Sequence, residues 1–308
     1  MVTESVRPDI AGVRNSLTTV KDTRGTKVFR WFNYSFLTLL VVVTLYPFVN
    51  LIAMSFSSDG AIRAGRVNLW PVGFNTTTIR AVMGDPMFWI NYRNTVFYTV
   101  LFTIIAMVIT TCFAYVISRQ HLPGRKLMIG MATFTMFFGG GLVPHFVVVG
   151  QWYGLRNTIW AVVLPGALSV FNLLVMKSFF ENFPGELEEA ASIDGLNTFG
   201  TFLRIVLPLS KALLATMTLF YAVTMWNAWF GSFLFLGDRN MHPVTMYLRN
   251  LIAGSLNTQE IADTADAAQV GANIQAVTML LTVLPIMFVY PFVQKFFVSG
   301  VMLGSVKG

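Results

Sequence analysis

Few groups in this chain could do chemistry: fourteen carboxylates, three histidines and one cysteine among 308 residues. His121, His145 and His242 form no i, i+4 pair and no His-Glu-x-x-His string, so metal chemistry is not expected of them. Cys112 lies in an apolar run, the place of a small core residue, and has no second cysteine to bridge. No Gly-x-x-x-x-Gly-Lys-Ser/Thr string occurs, nor any Gly-Lys dipeptide. The backbone cradle for nucleotide phosphates is therefore missing, and the chain is not expected to hydrolyse ATP. A Gly-x-Ser-x-Gly nucleophile turn is absent too. Five of the fourteen carboxylates gather in one place: Glu181, Glu186, Glu188, Glu189 and Asp194.

That cluster belongs to a polar stretch, 181–208, set between two long apolar segments. Connections between packed helices usually take about 2–8 residues, so a stretch this long needs a purpose. Its pattern predicts two short helices with a bend. Pro184 suits a first turn, and Glu186, Glu188 and Glu189 put negative charge where the helix dipole favours it. Leu187, Ala190 and Ala191 share one face, and Gly195 stops the helix because a left-handed stop costs glycine nothing in sterics. Asn197 or Thr198 can cap a second helix, in which Phe199, Phe202, Leu203 and Val206 repeat at i, i+3, i+4, i+7. Pro208 then opens the next apolar span.

The elements that carry this stretch are membrane spans. Hydrophobic residues make up 55% of the chain and charged ones 11%, against about 25% charged in soluble domains. The reading is all-α: a polytopic bundle of six transmembrane helices at 32–55, 94–118, 127–150, 158–179, 207–236 and 272–297, with 31–308 as one domain. Residues 1–30 read as a cytoplasmic tail, without the short apolar core and cleavage site of a signal peptide. Pro47 is expected to kink the first span, and Gly139-Gly140-Gly141 with Pro144 to interrupt the third. The loops 56–93 and 237–271 fall outside; Trp70 and Trp89 in the first suit interface anchors.

Charge tests this layout. The side holding the tail, the 119–126 turn, 181–208 and the C-terminus carries 14 of the 21 basic residues, the other side 7. The richer side should be cytoplasmic. The net charge of +7 is thus positive-inside charge, and no basic domain exists to bind nucleic acid.

Here the residues reach a family. Glu189-Ala190-Ala191, three residues, Gly195, nine residues, then Ile205-x-Leu207-Pro208 resembles without departure the EAA loop of bacterial ABC-importer membrane subunits. Seven fixed residues would coincide by chance on the order of once in 10⁸ starting points. The alternative is an amphipathic surface hairpin with no special role. From 28 to 308 the chain is similar to permeases of the carbohydrate-uptake class. Leu122-Pro123-Gly124-Arg125, the 137–144 string, Trp226-Asn227 and the 294–308 ending resemble a subgroup handling complex oligosaccharides, with alginate oligosaccharides the best single substrate.

The resemblance implies a multi-pass protein of the bacterial cytoplasmic (inner) membrane with both termini cytoplasmic. It implies a heterodimer with a second permease, two ATPase subunits below, and a solute-binding protein outside. ATP and magnesium would sit on the ATPases, with no cofactor on this chain. The ATPase contact would fall on Glu188, Glu189, Ala190, Ala191, Asp194, Gly195, Leu207 and Pro208. A C-terminal contact would use Ser305, Lys307 and Gly308, and the 237–271 loop would face the binding protein. Asn172, Trp226, Asn227 and Gln275 are the polar candidates for the substrate pathway, each equally suited to interhelical packing. The spans lack buried carboxylates, which disfavours an ion-coupled carrier. The rival functions are a membrane-embedded enzyme, or a regulator, of cell-surface sugar metabolism; an enzyme would need an acid, base or metal cluster that the sequence does not display.

Overall fold

The computed structural model describes residues 23–261 and 272–302, every regular element of which is helical or a helical turn. Ser305, Lys307, Gly308 and most of the N-terminal tail lie outside the described residues. Two compact units divide the chain, Met1–Asn50 and Leu51–Gly308. In the first lies most of α1 (Arg24–Ser55), continuous through Pro47. Its apolar side chains from Val28 to Val49 are largely exposed, as a helix that meets lipid or another chain should be.

The second unit begins with two short helices, α2 (Asp59–Arg63) and α3 (Thr77–Gly84). Its axis is α4 (Pro86–Ser118). Asp85 caps α4 by accepting the Met87 N–H at 2.9 Å, and Pro86 fills the first position, where no N–H is required. This start lies inside the segment 56–93 that reads as loop, because Asn91, Tyr92, Arg93 and Asn94 lower its apparent hydropathy while the cap still nucleates helix. Asn91, Asn94, Thr95, Thr103, Thr110 and Thr111 of α4 are buried, so its polar side faces protein.

Next come α5 (Arg125–Phe137) and α6 (Leu142–Val147), the latter running into a π-turn at 148–152. They are bent 112° apart across 138–141, where Gly141 takes a positive φ of 85°. After α7 (Trp160–Val163) the chain breaks before α8 (Val170–Glu181), then forms α9 (Gly185–Ile193) and α10 (Thr198–Thr201). A π-turn at 202–206 leads to α11 (Leu207–Leu209), and α12 (Lys211–Trp226) leaves at 82°. The bend thus falls at Ser210, after Leu207-Pro208, so those two residues close the helix pair instead of opening the next span. A proline ring cannot share the regular ladder with the preceding turn, and the wider π-turn just before it takes up the misfit. The Ser210 hydroxyl donates to the Val206 carbonyl at 2.7 Å.

The chain continues through α13 (Phe230–Phe235), a 3₁₀ turn at 239–241, α14 (Val244–Ile261) and α15 (Ala272–Met302). Segment 237–261 is therefore no bare loop. Val244 is fully buried in a cluster with Val82, Phe88 and Val277. Among the described residues α1 and α4 are each long and apolar enough to cross a membrane, and the two bent pairs raise the number to four. The apolar stretch Asn273–Phe288 of α15 is shorter.

Candidate functional site

Two sites emerge, one at each half of α8 and α12. The first is the 181–210 element. Helix α9 ends in a Schellman closure: Leu196 N–H donates to the Ala191 carbonyl at 3.0 Å and Gly195 N–H to Ser192 at 3.1 Å, with Gly195 at φ +81°. Nothing lies within 4 Å of where a Gly195 side chain would begin, so only backbone conformation demands glycine there. Asn197, not Thr198, caps the second helix, its Oδ1 accepting the Gly200 N–H at 2.7 Å. Phe202 and Val206 turn inward, whereas Phe199 and Leu203 stay exposed.

The same division splits the acidic helix. Ala191 is buried at 1% exposure, so its small size serves packing within the chain. Glu189, Ala190 and Asp194 are exposed, and Ile193 stands out at 86%. Glu188 is turned back on its own chain: Arg119 grips both carboxylate oxygens, at 2.5 and 2.7 Å. The Arg119 guanidinium also lies 4.2 Å over the Tyr115 ring, which packs 4.5 Å from Phe202 and 5.9 Å from Phe180. A second arginine repeats the device. Arg125 binds Glu181, which Lys177 also contacts at 2.8 Å, and its Nε donates to the Ile117 carbonyl at 2.8 Å. Both arginines flank the α4–α5 turn, so the end of α4 holds the acidic element at two points. In the sequence they stand out as charge on one side of a membrane, Arg125 also within the Leu122-Pro123-Gly124-Arg125 string; their pairing with Glu188 and Glu181 is long-range and leaves no local signal.

The second site is a cavity of about 870 Å³ between α4, α8 and α12, closed in part by Pro285 and Ile286 of α15. Its wall is mostly apolar. Asn172 and Trp226 both line it. Asn172 is buried at the start of α8, its N–H donating to Ser169 Oγ. The Trp226 indole N–H is committed to the Thr282 carbonyl at 3.1 Å, and its ring lies edge-on to Tyr92 at 5.9 Å. Thr99 Oγ1 has no partner among the described residues and sits at the wall. Tyr221 is the hinge of the floor: its hydroxyl lies 2.6 Å from Thr110 Oγ1 and accepts the Ser169 N–H at 3.2 Å. Asn227 and Gln275 are not part of the wall. Asn227 is exposed and spends its amide on the Val223 carbonyl at 2.8 Å; Gln275 is half-buried on α15.

Beyond the cavity, the first turns of α4 strap down the segment before α14. Asn94 donates to the Asn240 and His242 carbonyls at 2.6 and 3.1 Å, and Tyr98 to the Met241 carbonyl at 2.8 Å. Thr95 Oγ1 accepts the Val244 N–H at 2.7 Å. Tyr247 OH donates to Asp85 at 2.6 Å, and burial together with that carboxylate pushes the phenol pKa well above its ordinary value. Asn157, left-handed at φ 58°, accepts the N–H groups of Gly237 and Asp238.

Residues 23–302 match the family described as the binding-protein-dependent transport system inner membrane component. The chain belongs to that family. It is 36% identical over 289 residues to the polygalacturonan/rhamnogalacturonan transport system permease protein YtcP of Bacillus subtilis, covering 92% of this chain and 99% of that one. It is 37% identical over 291 residues to Protein LplC of the same organism, covering 94% and 98%. A solved bacterial ABC transporter involved in the import of the acidic polysaccharide alginate contains a chain that superposes with a TM-score of 0.79 at 29% identity, covering 89% of this chain and 98% of that one. The protein is thus an ABC-importer permease subunit of the carbohydrate-uptake class. It is a transport component and not an enzyme. Among the described residues no three of His, Cys, Asp and Glu gather as metal ligands.

Proposed function

We propose that this chain forms half of the translocation pathway of an ATP-driven importer of acidic oligosaccharides, alginate-like or pectin-like, crossing the inner membrane six times with both termini cytoplasmic. The partners are a second permease, two ATPase subunits carrying ATP and magnesium, and an external solute-binding protein. Helices α9 and α10 seat in the ATPase cleft, and the C-terminal residues Ser305, Lys307 and Gly308 reach the ATPase as well. The carrying observation is the exposed crest of α9 and α10. Ile193 and Phe199, at 86% and 66% exposure, stand with exposed Glu189 and Ala190 on a helix pair that turns at Gly195, φ +81°. Exposed apolar side chains of this size, clustered on a polar connection, suit a surface that another protein covers. The uronate part of the reading rests on the relatives that import acidic polysaccharides.

Mechanically, ATP binding closes the ATPase pair and shifts the cleft. The shift passes from α9 through Glu188 and Arg119 to α4, and through the Ser210 bend to α12. Those helices wall the 870 Å³ cavity, so its access alternates between two packings of the bundle.

The test is the assembled complex in vesicles. Gly195→Val meets a left-handed penalty of roughly 1–2 kcal/mol with no clash to blame, and Glu189→Lys reverses the exposed charge. Both should insert normally, yet lose co-purifying ATPase or uncouple hydrolysis from uptake. Full coupling in Gly195→Val would remove α9 and α10 from the ATPase contact.

A further inference from the structure

The segment after α12 presents three aromatic rings that packing leaves uncovered. Trp229, Phe230 and Phe233 are 38%, 45% and 47% exposed. Trp229 and Phe230 meet edge to face at 5.6 Å, and Phe233 lies 6.2 Å from Trp229. Over this group stands one cation. The Arg249 guanidinium is 4.3 Å from the centre of Phe233 and 5.0 Å from that of Trp229. Four residues earlier on the same face of α14, Thr245 Oγ1 donates to the Ala228 carbonyl at 3.0 Å, which fixes α14 against the aromatic segment.

Two arginines on the opposite side of the sequence map, Arg119 and Arg125, each bind a glutamate. Arg249 is held by ring faces instead, and among the described residues no carboxylate pairs with it. Stacking uses the face of a guanidinium and leaves its five N–H donors, which lie in the plane, free to fork onto a carboxylate. A guanidinium is also weakly hydrated, so desolvating it costs less than desolvating a lysine ammonium. Aromatic faces beside it offer a flat apolar support for the C–H face of a sugar ring. A surface of rings with one directional charged group combines apolar support with a precisely placed polar contact that fixes a ligand's orientation.

We infer that Arg249, on the platform of Trp229, Phe230 and Phe233, is a binding site for the carboxylate of a uronic-acid unit at the external entrance of the pathway, and so discriminates acidic from neutral saccharides. The inference rests on the proposed importer reading and its topology. It supplies the cation that the cavity wall lacks, since Asn172 and Thr99 there are neutral and the Trp226 donor is spent.

The probes are trigalacturonate and its fully methyl-esterified, neutral counterpart, presented to the reconstituted complex with its binding protein. Arg249→Met keeps a long apolar side chain over the rings and removes the fork. Arg249→Lys keeps the charge without the planar fork. Met should cut uptake of the acid relative to the ester by roughly ten- to a hundredfold, and Lys should fall between. ATPase co-purification and ester uptake report that the variants are folded and assembled. Equal loss of both substrates, or no loss of either, overturns the site. A loss that instead follows the anionic-lipid content of the vesicles assigns Arg249 to a lipid headgroup and overturns it too. If the wild-type complex drives uptake of neither saccharide while its ATPase works, the importer reading fails, and the site falls with it.

Discussion

Arg119 is the residue that ties the acidic helix α9 to the end of α4. Its side chain is 34% exposed and that of Glu188 is 21%, between a solvent pair worth about 0–1 kcal/mol and a buried one whose breakage costs about 3–5. The bidentate fork and the Tyr115 ring beneath it leave the guanidinium one orientation. Arg119→Glu should therefore detach α9 from α4 and reduce coupled uptake by roughly 5–30-fold, the factor that 1–2 kcal/mol represents. Glu188→Arg alone should do the same, and the two together should recover much of the uptake. Recovery measured as sugar moved per ATP hydrolysed separates a tether from general destabilisation. No recovery would show that Glu188 serves the ATPase directly. From the sequence, Glu188 and Glu189 look alike, two acids in one helical turn. What distinguishes them is a guanidinium 69 residues away, and no periodicity reports such a partner. Ala191 likewise reads as a contact residue beside Ala190, but at 1% exposure it is packed inside the chain. Gly195 was legible because its demand is local: a positive φ needs no tertiary partner.

At the scale of elements, α14 illustrates what hydropathy conceals. Segment 237–261 is polar enough to read as loop, yet Val244 is fully buried and the α4 start grips its backbone through Asn94, Thr95 and Tyr98. Tyr247 adds the bond to Asp85, whose other oxygen caps α4. Because the folded phenol binds its proton more tightly than an unfolded one, its stabilisation is complete below the ordinary tyrosine value of about 10 and is lost as pH rises above it. Hydrogen exchange of α14 should thus be flat from neutral pH to about 9, after allowance for intrinsic rates, and rise steeply above about 10. Tyr247→Phe should abolish that step while weakening α14 below about pH 9 by about 1–3 kcal/mol. A step that survives in Tyr247→Phe would place the titrating group elsewhere. The bends were legible to different degrees. Gly139-Gly140-Gly141 announces the break before α6, whereas the 82° turn at Ser210 lies two residues beyond its proline because the π-turn defers it.

For the molecule as a whole, apolar runs and the Glu-Ala-Ala…Gly…Leu-Pro string were enough to reach the family, since both are written in consecutive residues. Helix ends were harder to read. Membrane helices are apolar nearly all round, so the 3.6-residue period that marks a soluble helix face is faint, and the buried threonines and asparagines of α4 look like scattered polar residues. The residues offered for the pathway divide for the same reason: Asn172 and Trp226 share the cavity wall, while Asn227, at the C-terminal cap of α12, is not part of it. The 14-to-7 division of basic residues predicts that reporter fusions at Asp85 and Glu260 read external and those at Gly124 and Gly195 cytoplasmic. A cytoplasmic signal at Glu260 would break the six-span layout and, with it, the external position of α14.

Helix α4 runs unbroken for 33 residues, roughly 50 Å at 1.5 Å per residue, without an interior proline or a change of helix type. Arg119 caps its C-terminal end, and Asn91 to Tyr98 clasp the 239–244 backbone near the other. A rod with a fixture at each end behaves as a first-class lever. If it pivots about its middle by only ~10°, each tip sweeps ~4 Å in opposite directions, close to the 5.4 Å rise of one helical turn. A downstroke at the Arg119 tip would then appear as an upstroke at the tip that clasps 239–244, with no signal needing to cross the cavity at all.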